Sequence, residues 1–122
     1  MSHEELVQSL KAVDATAAQN RQALLPSVAR LMRIAMGDTG QCRRVADFLL
    51  AWHNAKENGG WDPTDLWNVD ATIADDILTA LRLLRMESRY PGDLGFQREI
   101  DRIWELWRAR QPQRNDRSKS RG

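Results

Sequence analysis

Residues 43–52 read RRVADFLLAW, and the spacing of the apolar residues in this stretch decides the fold class. These residues stand at i, i+3, i+4 and i+7, which places them on one face of a helix: Val45, Phe48, Leu49 and Trp52. A strand would alternate apolar and polar residues instead. The stretch therefore predicts a helix that packs through one face.

The same spacing recurs on both sides of this stretch. Its members are Val28, Leu31, Met32 and Ala35 upstream, and Ile73, Ile77, Ala80, Leu81 and Leu84, then Ile100, Ile103, Trp104 and Trp107, downstream. A narrower seam near the N-terminus contains Leu6, Leu10, Val13 and Ala17. No segment of the sequence sustains the alternation of a strand. These patterns predict an all-α fold, a compact bundle of about five helices.

Capping residues and helix breakers set the expected boundaries of these helices. Ser2 and Glu5 match a capping box, so we expect a first helix to begin there. Pro26 suits the first turn of a second helix, because its missing N–H has no helical partner in that position. The remaining expected boundaries are, in chain order, a stop at Gly37, a cap at Asp38 or Thr39, a stop at Asn58-Gly59-Gly60, a short turn over 63–67 capped by Asp62, a long helix capped by Asp70 and running to about Ser88, and a final helix over 95–109.

Length and charge predict one domain with a basic tail. The chain has 122 residues, of which 42% are apolar, and this suits a single domain. The net charge of +1 is unevenly spread: residues 1–107 carry 12 Lys/Arg against 16 Asp/Glu, whereas residues 108–122 carry six against one. Beyond Gln111 the sequence lacks hydrophobic residues. We therefore expect a helical domain over 1–110 and a disordered basic tail over 111–122.

The sequence also bears on the compartment of the protein. The single cysteine, Cys42, rules out an intramolecular disulfide. The N-terminal residues do not form the pattern of a signal peptide, and no apolar stretch approaches the roughly 20 residues that a membrane span needs. These features predict a cytoplasmic protein with no membrane partner.

Few residues offer catalytic chemistry. His53 and Glu57 lie one helical turn apart, but no Cys/His cluster supplies further metal ligands, and a surface pair at the edge of the core explains them. Cys42 has no histidine nearby in the sequence and fits core packing. Glycine-rich phosphate loops, nucleophile elbows and zinc-binding motifs are absent from the sequence. We therefore predict no catalytic residues, no metal and no cofactor, and a protein that is not an enzyme.

An acidic block with two tryptophans is the leading candidate for a partner-binding surface. Between Glu57 and Leu81 there are six acidic residues and no basic one. Helix capping explains some of these acidic residues, and a solvated helix face would explain others. The alternative is a face that docks onto a protein partner with basic groups. Its candidate residues are Trp61, Asp62, Asp65, Trp67, Asp75 and Asp76.

A second candidate surface would bind nucleic acid. Four arginines flank the turn over 37–40, and a helix-turn-helix protein places such residues at the start of its recognition helix. Against this, residues 1–107 are net acidic, and only the tail has the basic excess that favours binding to phosphates. The candidate residues are Arg30, Arg33, Gln41, Arg43 and Arg44.

Several short sequence motifs resemble those of a known family. They are DTGQ at 38–41, RRVADFLLAW at 43–52, DLW at 65–67, Val69-Asp70, IADD at 73–76 and Tyr90-Pro91. Over about residues 26–109 the chain resembles a family of small uncharacterised helical proteins that are encoded in proteobacteria, often on plasmids and integrative mobile elements. Proteins of such elements often bind a host protein or a nucleoprotein complex, and some block defence systems as anti-CRISPR proteins do.

The resemblance, together with the missing catalytic motifs, favours one hypothesis for the function. We expect a non-enzymatic protein-interaction module of a mobile genetic element, which docks through its surface. The alternative is a nucleic-acid-binding accessory protein. The oppositely charged blocks in one chain also make a homodimer plausible.

Overall fold

The predicted all-α class is confirmed by the structure, a computed structural model that describes residues 2–109, with the backbone alone for residues 12–18 and 20. Four α-helices follow one another: α1 (His3–Ala35), α2 (Gly40–Asn58), α3 (Ala71–Met86) and α4 (Gln97–Trp104). Three short helical turns complete the chain: 3-10 turns at Pro63–Asn68 and Pro91–Leu94, and a π-helical turn at Glu105–Ala109. No strand occurs within residues 2–109. The expected tail over 111–122 lies outside the described residues.

The expected break between a first and a second helix is wrong, because α1 runs without interruption through Pro26. A proline inside a helix removes one backbone hydrogen bond and crowds the preceding turn. Burial on both sides of it offsets that loss. Leu24 and Leu25 pack against the core before Pro26, and Val28 and Leu31 are fully buried after it. The capping box at Ser2 and Glu5 is present and begins this longer helix.

The core sits where the helical stripes of the sequence meet. Its fully enclosed members come from all four helices: Val28, Leu31, Met32, Ala35, Val45, Ala46, Phe48, Leu49, Leu50, Ile77, Ala80, Leu83, Ile100 and Ile103. Helix α1 contacts α2 and α3, and α4 packs mainly on α2. The stripes predicted burial less accurately at their ends, where Trp104 is 45% exposed and Leu84 is 37% exposed.

Helix α2 is interrupted near its C-terminal end. Asn54 has φ −165° and ψ 91°, which are extended rather than helical values. Its side-chain oxygen accepts from the Glu57 N–H at 3.3 Å and so begins one further helical turn. The buried Asn58 amide donates to the Leu50 carbonyl oxygen at 3.1 Å. This bond satisfies a backbone acceptor next to the interruption.

Polar contacts fasten the last described turn to the bundle. Arg108 donates to Asp47 Oδ1 at 2.7 Å and to the Asn58 carbonyl oxygen at 3.1 Å. The side chains of this ion pair are only 12% and 16% exposed. The Trp107 indole donates to the Ala35 carbonyl oxygen at 2.6 Å. The 105–109 turn therefore closes one end of the bundle against α1 and α2.

Candidate interaction surface

The segment between α2 and α3 contains a rigid 3-10 turn at Pro63–Asn68, as the sequence predicted for 63–67. Asp62 caps it by accepting from the Thr64 N–H at 2.9 Å and from the Thr64 hydroxyl at 2.8 Å. These two bonds stabilise the carboxylate and lower the pKa of Asp62. Pro63 occupies the first helical position, where no N–H is needed. The turn is therefore fixed locally at its beginning.

Trp61 anchors this segment to the core. Its ring meets Phe48 edge to face, with the centroids 5.0 Å apart and the planes at 67°. It is half-buried among the residues that pack on the core. This geometry is favourable for aromatic pairs and gives the Trp61 ring a role in packing.

Trp67 lies on the same turn but faces solvent. Its side chain is 82% exposed, more than that of any other large hydrophobic residue in the described part of the chain. The residue is preceded by Leu66, which packs on the core, so the turn itself is held against the bundle. An indole exposed on this turn contributes little to the stability of the fold and is available to a partner.

Asp76 is committed to an internal ion pair. Its two oxygens accept from Arg30 Nε at 2.9 Å and Arg30 Nη2 at 2.8 Å, an arrangement that joins α3 to α1. Arg30 also donates to Ser27 at 3.1 Å. The hydrogen bonds from Arg30 lower the pKa of Asp76, and the carboxylate in turn raises the pKa of Arg30. Both residues therefore stabilise the fold, whatever else they do.

Asp65 faces Arg44 across the same side of the molecule. Arg44 Nε lies 3.6 Å from Asp65 Oδ1, close enough for attraction but too long for a hydrogen bond. Burial raises the pKa of Asp65 more than Arg44 lowers it, and the nearby carboxylates Asp47 and Asp62 add to the rise.

Gln41 and Asp70 form a third link. The Asp70 N–H donates to Gln41 Oε1 at 2.6 Å, and Gln41 Nε2 donates to Asp70 Oδ2 at 3.4 Å. Asp70 occupies the N-cap position of α3, but its side chain makes no capping hydrogen bond. The predicted capping role of that side chain is therefore wrong, because Gln41 binds it instead.

The acidic candidate surface and the basic one thus lie against each other. Three of the five residues proposed for nucleic acid, Arg30, Gln41 and Arg44, have partners on the 62–76 segment. Arg33 and Arg43 are exposed on the basic side, and Asp62 and Asp75 are exposed on the acidic side. Trp67 is the feature of either candidate surface that the fold explains least.

The position of Cys42, which has a reactive side chain, is explained by local contacts. Cys42 is half-buried, and its sulfur accepts from the Thr39 hydroxyl at 3.0 Å. Thr39 also caps α2, as the sequence allowed, by accepting from the Cys42 N–H at 3.2 Å. A Cβ at Gly37 would lie 2.6 Å from the Cys42 sulfur, so the chain before α2 needs glycine there.

His53 and Glu57 line a cleft of about 300 Å³ together with Asp101 and Trp104. The cleft lies beside the interruption in α2. Among the residues whose side chains the structure describes, there is no group of three or more His, Cys, Asp or Glu residues with the geometry of a metal site. None of the helices among these residues has the length and apolar character to cross a membrane.

Comparison with known proteins identifies a family. Residues 25–108 match a family of unknown function, DUF7673. Since this match covers well over half of the 122 residues, the chain belongs to that family. No curated protein and no solved structure matches the chain. The matched range contains the 63–68 turn and the helix pairs described above, and it excludes the first part of α1.

Proposed function

We propose that this member of the DUF7673 family is a non-enzymatic protein-interaction module whose contact surface is centred on Trp67. The 82% exposure of this indole, on a turn fixed by Asp62, Pro63 and Leu66, is the observation that carries the proposal. Tryptophan is enriched among the residues that dominate binding energy at protein interfaces. A rigid turn also lowers the entropy lost when the ring is buried against a partner.

The charges around Trp67 suggest the chemistry of that partner. Asp62 lies on the same turn and is exposed, and Asp75 is exposed on α3. Asp65 and Asp76 already face arginines of this chain, so they add less to the outward field. We propose a partner with an apolar pocket for the indole and basic groups at its rim, which would steer association by charge.

The wider role that we propose follows from the family resemblance. Docking by this surface would serve a mobile genetic element, with a host protein or a nucleoprotein complex as target. Inhibition of a defence system, in the manner of anti-CRISPR proteins, is one form that such docking would take. The acidic rim suits a target that itself binds nucleic acid, because such proteins carry basic surfaces.

Affinity capture from the native host tests the proposal with two matched variants. Trp67→Ala removes the exposed indole before α3, and Tyr90→Ala removes an aromatic ring that is 59% exposed after α3. The 16 residues of α3 separate these rings by about 24 Å along the helix. We expect a partner that survives nuclease treatment, is lost with Trp67→Ala and is retained with Tyr90→Ala. Retention by both variants would remove Trp67 from the interface.

A second candidate function is a nucleic-acid-binding accessory protein. It is favoured by the exposure of Arg33 and Arg43 on either side of the connection between α1 and α2. Gel retardation of DNA and RNA tests it with Arg33→Ala/Arg43→Ala against Arg98→Ala/Arg102→Ala, a pair of exposed arginines on α4. Salt-sensitive retardation that only the first pair weakens would support this function. Equal weakening by both pairs would point to binding by net charge alone.

A further inference from the structure

The first part of α1 extends beyond the bundle as an N-terminal arm, residues 3–20. Among the described side chains of α1, those that pack on the core begin at Leu24. The ion pair between Arg21 Nε and Glu87, at 2.7 and 2.9 Å, links the base of the arm to the end of α3. At 1.5 Å per residue, these 18 residues of helix are about 27 Å long. The arm is therefore about as long as α2, and the side chains described on it, those of residues 3–11 and 19, are exposed or only partly buried.

One side of the arm is apolar and faces solvent. Leu6 is 48% exposed and Leu10 is 56% exposed. In the sequence, apolar residues follow at positions 13 and 17, and steps of seven residues then lead to Leu24 and Leu31 in the core, with the polar Asn20 and Ser27 at the intermediate positions. A seven-residue repeat of this kind is the pattern by which two long helices pack side by side. The apolar spacing of the core thus continues in the sequence to Leu10 and Leu6, whose side chains are exposed.

A free helix of this length is barely stable in water, because tertiary packing supplies most helical stability. The described part of the chain leaves Leu6 and Leu10 about half exposed. Helices α2, α3 and α4 contribute their apolar stripes to the core. Residues 110–122 contain no large apolar residue that would fill a leucine seam. A helix of similar length on another molecule would cover the exposed Leu6 and Leu10.

Charge identifies that molecule as a second copy of this chain. The tip of the arm carries Glu4 and Glu5, both exposed. The base of the arm has a positive excess, because Glu87 is shared by Arg21 and Arg89, and Arg82 and Arg85 are exposed on the last turns of α3. Two arms in antiparallel orientation bring each acidic tip to the basic base of the other copy, whereas parallel arms bring the two acidic tips together.

We propose that the protein forms a homodimer through antiparallel pairing of the two N-terminal arms, with Leu6 and Leu10 in the shared seam. The leucine seam of this interface lies outside the matched family range, and the interface is independent of Trp67. The dimer would display two Trp67 surfaces, so a partner with repeated sites would bind it by avidity.

Sedimentation equilibrium of the full chain tests the seam with two charge-matched variants. Leu6→Glu/Leu10→Glu places four carboxylates in the seam of a dimer. Gln8→Glu/Gln19→Glu adds the same charge at exposed positions outside the seam and keeps good helix formers. We expect the first variant to weaken the dimer by roughly 100-fold or more, since four buried leucines are lost, and the second to weaken it only slightly. A wild-type chain that is monomeric at 100 µM, on the order of a weak dimer's working concentration, would overturn the proposal. So would an equal effect of the two variants.

The antiparallel orientation has its own test, a reciprocal charge swap. Glu4→Lys leaves the capping box of Ser2 and Glu5 intact, and Arg85→Glu changes an exposed residue. Each variant alone places like charges together at both ends of an antiparallel dimer. In an antiparallel dimer we expect each variant alone to associate more weakly than wild type. Mixed in equal amounts, the two variants form a heterodimer in which both ends are attractive, so the mixture should approach the wild-type affinity. Single variants that associate as well as wild type, with a mixture tighter than wild type, are the result for parallel arms and would contradict the antiparallel arrangement.

Discussion

Two tryptophans of one short segment have opposite environments. Trp61 is half-buried and meets Phe48 edge to face, whereas Trp67, six residues later, is 82% exposed. The sequence gives both rings the same acidic neighbourhood and leaves open whether they plug the end of the domain or bind a partner. The structure separates them, because Trp61 packs on the core and contacts Phe48, whereas Trp67 faces solvent.

The first prediction compares the two rings in folding. Trp61→Ala should lower the free energy of unfolding by about 2–4 kcal/mol, since a large ring leaves a partly enclosed site. Trp67→Ala should change it by less than about 0.5 kcal/mol, as is usual for exposed positions. Urea unfolding of both variants measures these values. A large loss of stability with Trp67→Ala would show that the ring supports the fold.

The second prediction concerns pH. The hydrogen bonds from Arg30 lower the pKa of Asp76, so the folded protein holds this proton less tightly than the unfolded chain does. The resulting stability is present above the unfolded pKa of about 3.9 and is lost as the pH falls through the folded pKa. Asp76→Asn should therefore destabilise the protein at pH 7, and its difference from wild type should shrink below pH 4 or so. Asp75→Asn, on an exposed neighbour, is the control, and thermal unfolding across pH measures both. A difference that persists unchanged at pH 3 would contradict this cause.

At the scale of the elements, the apolar stripes predicted the helices well, because the period of 3.6 residues is a property of each segment by itself. The predicted helix start and helix cap were wrong where contacts between residues far apart in the sequence outweighed local preferences. Pro26 is a reasonable helix start in isolation, but burial of Leu24 and Val28 on either side of it holds one helix together. Asp70 is a reasonable cap in isolation, but Gln41, which is 29 residues away in sequence, binds its side chain.

Pro26 gives the third prediction. Its side chain is exposed, so replacement sacrifices little packing. Pro26→Ala restores an N–H donor inside α1 and removes the crowding of the preceding turn. We expect the free energy of unfolding to rise by about 1–2 kcal/mol, less than the full cost of an interior proline because the proline also restricts the unfolded chain. Lower stability of the alanine variant in urea would mean that Pro26 sets a geometry that α1 requires.

At the scale of the whole molecule, long-range polar pairs organise what the sequence presents as separate charge blocks. Arg30 with Asp76, and Arg44 with Asp65, join α1 and α2 to the segment that follows them. A count of charges along the chain predicts an acidic surface and a basic surface, because it contains no information on which residues face each other. The sequence therefore predicted candidate residues for both surfaces. Of these, only the residues that the fold leaves exposed remain candidates for binding.

The fourth prediction tests how the bundle is closed. Arg108→Ala leaves Asp47 without its ion pair in a site where both side chains are largely buried, and should cost about 3 kcal/mol. Arg102→Ala removes an i,i+3 pair whose members are each 50% exposed, and should cost no more than about 0.5 kcal/mol. Urea unfolding of the two alanine variants measures the contrast. Similar losses for both would show that the 105–109 turn contributes little to closure.

The most direct test of a docking role for Trp67 is the affinity of the captured partner for purified Trp67→Ala, measured by titration calorimetry beside wild type and Tyr90→Ala. We predict that Trp67→Ala weakens binding by about 30-fold or more, the effect of a residue that contributes 2 kcal/mol or more at an interface, while its thermal midpoint and the affinity of Tyr90→Ala stay unchanged. Wild-type affinity in the Trp67→Ala variant would contradict the account.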